Sequence, residues 1–177
     1  KAKLNDDIYV TGNLGDSYLG LKALSNKSKF NNKDKLFFID KYYKPELPLN
    51  ITKYLLKFAN SSIDVSDGLI DDLSKMINRQ NLSFHLFEKK IPVSKKLGNF
   101  IKNKKLNKID LISNGDDYQV LFTAGINKAR IIQNASKTTG IKITKIGKIV
   151  SGKNRSLIFD QKGKQIQAKS KGYIHRF

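Results

Sequence analysis

Residues 63–73 read Ile63-Asp64-Val65-Ser66-Asp67-Gly68-Leu69-Ile70-Asp71-Asp72-Leu73, four aspartates within nine positions of a chain whose formal net charge is +19. The first half alternates, with Ile63 and Val65 on one face of a strand and Asp64 and Ser66 on the other. Gly68 permits a sharp reversal, and the apolar spacing after it predicts a helix over 67–78. A strand over 61–66 therefore delivers Asp64, Ser66 and Asp67 to the start of a helix. Carboxylate oxygens there suit Mg2+, and the helix amides with Ser66 suit a phosphate oxygen. Capping accounts equally for Ser66 or Asp67, and the helix dipole for Asp71 and Asp72. Neither accounts for Asp64, a carboxylate inside a strand of otherwise apolar or small residues.

On either side, strand and helix signals alternate. Strands are expected at 7–11, 61–66, 82–88, 117–125, 142–150, 155–159 and 163–169. Helices are expected at 14–25, 34–43, 51–59, 67–78, 94–103 and 126–138, the last ending at Gly140. Pro45 and Pro48 mark an irregular segment. There is no internal repeat and no low-complexity linker. Such interspersed elements predict a layered α+β domain around a mixed β-sheet, and 177 residues suit one domain with a real core.

Composition limits the function classes. No apolar run approaches the roughly 20 residues of a membrane-spanning helix. The absence of cysteine rules out disulfides and cysteine-based metal sites, and fits a cytoplasmic setting. The basic excess raises nucleic-acid binding, but it consists of 30 Lys and only four Arg, spread along the chain among Asn and Ile. Bidentate reading of phosphates and guanine favours Arg, so the lysines read as solvated faces rather than a specific nucleic-acid site. A basic nucleic-acid-binding module stays as an alternative resting on charge alone.

Two further stretches carry candidate chemistry. Ser113-Asn114-Gly115-Asp116-Asp117-Tyr118-Gln119-Val120 is a second acidic turn before a strand. Val10-Thr11-Gly12-Asn13-Leu14-Gly15-Asp16 is glycine-rich and opens a helix, so an anion can lie on its amides, although it lacks a P-loop lysine. His85, in an alternating strand, reads as structural, and His175 stands in the tail. Two distant histidines make no zinc site.

Taken in order, V-T-G-N-L-G-D, I-D-V-S-D-G-L-I-D-D-L, S-N-G-D-D-Y-Q-V-L-F, I-G-K-I and the terminal K-G-Y-I-H resemble the C-terminal half of thiamine-monophosphate kinases, within the superfamily of aminoimidazole ribonucleotide synthetase. The resemblance implies a layered α/β/α domain around a mixed sheet. It implies transfer of the ATP γ-phosphate to thiamine monophosphate, with Mg2+ as cofactor. In that reading Asp64 and Asp67 are Mg2+ ligands, Ser66 is a nucleotide contact, and Asp116 and Tyr173 contact the substrate. Residues 1–177 then form one C-terminal domain. The nucleotide-binding N-terminal domain, through which a homodimer forms, is absent, and the chain alone is expected to be inactive. The family pattern Gly-Gly-Glu becomes Asn114-Gly115-Asp116, and Gln119 replaces a usual glutamate. These departures leave open a related ATP-dependent enzyme with another acceptor.

Overall fold

The computed structural model describes residues 1–25 and 30–168. Its strands are β1 (Asp7–Thr11), β2 (Ser61–Asp64), β3 (Leu82–Phe87), β4 (Val120–Ala124), β5 (Ile143–Ser151), β6 (Leu157–Phe159) and β7 (Gln165–Ile166). Its helices are α1 (Asp16–Leu24), α2 (Asn32–Tyr43), α3 (Thr52–Phe58), α4 (Leu69–Met76), α5 (Lys95–Lys104), α6 (Lys108–Ile112) and α7 (Ala129–Thr139). The strands form one seven-stranded sheet in the order β2-β4-β1-β5-β3-β6-β7. Only β3 and β6 run parallel, which makes the sheet mixed.

Both faces of the sheet are covered, and the sequence of β1 shows why. All five of its residues are buried, as a strand between two apolar layers requires. Ile8 and Val10 join Leu121 and Ile146 on one face, packed against Leu69 and Leu73 of α4 and Ile109 and Ile112 of α6. Tyr9 points the other way, where Phe58, Phe122, Ile132 and Ala135 form the layer under α3 and α7. Tyr9 and Phe122 stack there with ring centroids 5.2 Å apart. A third cluster, Leu19, Phe38, Leu97 and Leu111, ties α1, α2, α5 and α6 together beside the sheet. The architecture is the layered α+β arrangement expected.

Two local expectations change. Helix α6 arises within a Lys- and Asn-rich run, with Asn107 accepting the Ile109 N–H at 2.8 Å. The strand expected from residue 117 begins only at Val120, because Asp116 (φ 70°) and Tyr118 (φ 50°) take left-handed backbone.

Candidate functional site

The two acidic turns lie side by side. Strand β2 pairs with β4 so that Asp64 opposes Val120. Beyond the register the backbones stay joined: Val65 N–H donates to Gln119 O at 2.8 Å, Tyr118 N–H to Val65 O at 2.9 Å, and Asp116 N–H to Ser66 O at 2.9 Å. The approach is so close that a Cβ on Gly115 would stand 1.6 Å from Ser66 O, and one on Gly68 would stand 2.3 Å from Ser113 O. Only glycine fits at both points. Gly68 also has φ 123°, which a side chain would strain.

This pairing brings together residues some fifty positions apart in sequence. Asp64 ends β2 with an exposed side chain, and Ser66 and Asp67 lie partly exposed in the turn before α4. The Tyr118 hydroxyl donates to Asp116 Oδ1 at 3.5 Å. Burial pushes the Tyr118 phenol pKa up, and the nearby Asp116 and Asp64 carboxylates push it further. Asp64, Ser66, Asp67 and Asp116 thus share one end of the sheet. Tyr173 and His175 lie outside the described residues. His85 packs edge-on against Phe159, centroids 5.3 Å apart, in keeping with a structural role.

The turn is clamped from within, in a way periodicity did not reveal. Asp72 is buried, and its Oδ2 accepts the N–H groups of Ser66, Asp67 and Gly68, each at 3.0 Å. These amides were expected to be open to a phosphate; the chain's own carboxylate takes them. Gly68, not Ser66 or Asp67, is the N-cap of α4, and no side chain caps it. Burial raises the Asp72 pKa while the turn amides and Lys75 oppose the rise.

The carboxylate oxygens of Asp67, Asp71 and Asp72 lie within 4.8 Å of one another. Lys75 Nζ sits among them. It donates to Asp67 Oδ2, lies 2.7 Å from Asp71 Oδ2, and donates to Asp72 Oδ1 at 3.4 Å. The hydrogen bonds to Asp67 and then Asp71 hold the Lys75 pKa well up. A cluster of hard oxygen donors around a positive charge suits a divalent ion, with Lys75 standing where such an ion fits. Asp67 shares this cluster with Asp71 and Asp72, which the sequence reading left to the helix dipole, whereas Asp64 is not one of its three members.

The glycine-rich segment has its own internal acceptor. Asp117 accepts the Gly15 N–H at 2.7 Å while only 4% exposed. Burial raises its pKa to about 8, with the Gly15 and Ser17 amides opposing the rise and the Asp16 charge adding to it. Asp16 is raised to about 6, mainly by burial, although Ser94 Oγ donates to its Oδ1 at 2.7 Å. The amides that open α1 are therefore not free to hold an outside anion. Gln119 locks the loop: its Oε1 accepts from Thr11 Oγ1 at 2.8 Å and its Nε2 donates to Glu46 O at 2.8 Å. A cavity of about 420 Å³ lies on this side, lined by Asp16, Lys41, Ser94, Asp117 and Gln119. A larger one of about 810 Å³, lined by Ile70, Ile77, Leu82 and Phe84, has no carboxylate among the described residues that line it.

No family model matches the chain. It is 36% identical to a thiamine-monophosphate kinase of Buchnera aphidicola subsp. Schizaphis graminum, over 98% of this chain and 54% of that protein. AaThiL complexed with AMPPCP and TMP superposes with a TM-score of 0.76 at 28% identity, covering 98% of this chain and 52% of that one. A hydrogenase maturation protein HypE in complex with ATP superposes with 0.68 at 15% identity, covering 93% and 50%, and shows the fold alone. The chain spans about half the length of the curated relatives it matches. Over nearly all of its own length, this chain is a homologue of the thiamine-monophosphate kinases.

Proposed function

We propose that the chain forms the metal- and acceptor-binding part of an ATP-dependent kinase that converts thiamine monophosphate to thiamine diphosphate. One observation carries this reading. The 64–68 turn and the 113–119 loop are joined backbone to backbone, and this sets Asp64, Ser66, Asp67 and Asp116 at one end of the sheet. The likeness to AaThiL complexed with AMPPCP and TMP supports it.

In this reading Asp64 and Asp67 hold Mg2+, whose bound charge offsets that of the phosphates and aligns the reacting groups. Asp67, together with Asp71 and Asp72, already surrounds an ammonium with oxygen donors that suit such an ion; Asp64 lies outside that group. Ser66 contacts the nucleotide from the same turn. Asp116 meets the acceptor, fixed by its N–H on Ser66 O, and Tyr173 offers an aromatic face to the cationic thiazolium ring. Little covalent chemistry falls to the protein; its task is to position groups and balance charge. Asp116 is one methylene shorter than the family glutamate, which favours, as the second reading, a related enzyme with another phosphate acceptor.

The same proposal covers the setting. The kinase is cytoplasmic and acts as a homodimer through an N-terminal nucleotide-binding domain. Its basic surface attracts anions without specific nucleic-acid recognition. Among the described residues, no helix is long and apolar enough to cross a membrane.

The test is thiamine diphosphate formation by a protein joining this chain to the family's N-terminal domain, given ATP, Mg2+ and thiamine monophosphate. Product is expected from that protein, none from the chain alone, and at least about a hundredfold less from Asp64→Asn. A well-folded joined protein that makes no product would sink the acceptor assignment.

A further inference from the structure

We infer that Lys75 is a built-in counter-cation of the acidic turn, which a divalent ion must displace in order to bind there. The inference rests on reading that turn as the metal-holding element, and adds a residue that sets how tightly the metal is held.

The helical repeat makes the arrangement. Asp71 and Asp72 precede Lys75 by four and three residues, so all three side chains meet on one side of α4. Asp67 reaches the same point from the turn, placing one ammonium among three carboxylates whose oxygens lie within 4.8 Å of one another. Asp72 cannot swing away. Its Oδ2 is held by three backbone amides, and this keeps Oδ1 facing Lys75. Lys75 is the mobile partner, with a side chain 46% exposed on a flexible four-carbon stem.

Charge accounts for the consequence. Three carboxylates and one ammonium leave the cluster at −2, so a divalent ion is still attracted. It must nevertheless take oxygens that Lys75 already holds. An ion that binds therefore releases the ammonium to solvent, and the lost contacts are subtracted from its affinity. Such pairs at a partly exposed site are individually weak, and losing three of them lowers metal affinity about tenfold.

The experiment is a Mn2+ titration of this chain, followed by paramagnetic broadening of the backbone amide signals. It compares wild type with Lys75→Gln, Lys75→Arg and Lys57→Gln. Lys57 lies on α3, across the sheet, and its variant removes the same charge without touching the cluster. The expected result is broadening centred on residues 66–72, with affinity about tenfold tighter in Lys75→Gln and within about twofold of wild type in the other two. Equal affinity in wild type and Lys75→Gln would overturn the inference and leave the metal turn standing. An equal gain in Lys57→Gln would reduce the effect to net charge and also overturn it. No broadening near the turn in any variant would overturn both the inference and the metal reading on which it rests.

Discussion

The Asp117 carboxylate accepts the Gly15 N–H at 2.7 Å across 102 residues of chain, from a position that is 4% exposed. One buried acid thereby ties the second acidic turn to the start of α1. Burial lifts its pKa to about 8, against roughly 3.9 in an unfolded chain. A carboxyl raised on folding contributes stability that is complete below about 4 and is lost as pH climbs towards 8. Asp16, raised to about 6, adds a smaller loss over the lower part of that window. Asp117→Asn keeps an acceptor for Gly15 and removes the ionisation. Its melting temperature between pH 5 and pH 8 is expected to fall less than that of wild type. Parallel profiles would show that Asp117 does not titrate in that window.

Asp72 is the clamp of the first turn, so Asp72→Ala leaves three backbone N–H groups without their acceptor. Urea unfolding is expected to show a loss of about 2–4 kcal/mol. Asp71→Ala, which removes one partly exposed ion pair, is expected to stay within about 0.5 kcal/mol of wild type. Similar losses in the two variants would refute the clamp.

Gly115 sits where the two turns touch. Gly115→Ala would drive a Cβ to 1.6 Å from Ser66 O, a contact that only separation of the turns relieves. The expected cost is about 3 kcal/mol or more, together with faster hydrogen exchange at Asp116 and Tyr118, whose N–H groups bridge the turns. Unchanged exchange at both amides would mean that the loop adjusts without opening.

Gln119 occupies a position where the family resemblance leads one to expect glutamate, and its contacts show why an amide suits this chain. Its Nε2 donates to Glu46 O at 2.8 Å and to Asp117 O at 3.4 Å. Gln119→Glu replaces that donor with a carboxylate facing two carbonyl oxygens. A loss of about 2 kcal/mol is expected at pH 7, with part of it recovered at pH 5 as the new carboxyl takes up a proton and donates again. The pH dependence, read by urea midpoint, separates this from a packing fault, which would cost the same at both values.

Much of this molecule is legible in its sequence, because strands and helices here follow clear periods. Ile8, Val10 and Tyr9 alternate between two apolar layers, and Leu69 and Leu73 recur at helical spacing, so element types and the layered class follow directly. What escaped notice was set by distant parts of the chain. Helix α6 is five residues long and lies in a lysine-rich run, signalled by the Asn107 cap and the buried Ile109, Leu111 and Ile112. Tyr118 reads as a strand residue, but contact with the first turn imposes left-handed backbone on it. The amides before α4 and at the start of α1 look open to anions in sequence; Asp72 and Asp117 fill them, and only the fold brings those carboxylates there. The cluster of Asp67, Asp71, Asp72 and Lys75 was half visible, since helical spacing gives the last three and the turn supplies the first.

The order of the sheet also governs how the chain comes to be folded. β1 precedes both of its sheet neighbours, β4 and β5, in the chain, and its earliest partner residues are Leu121 to Ala124. Until those residues leave the ribosome, the apolar run Ile8-Tyr9-Val10 has no sheet to join. Closing so long a loop is slow, and an unpaired apolar strand meanwhile invites association with other chains. An interior strand of the sheet is thus made well before either of its partners, and pairing of the sheet waits on residues more than a hundred positions further along the chain.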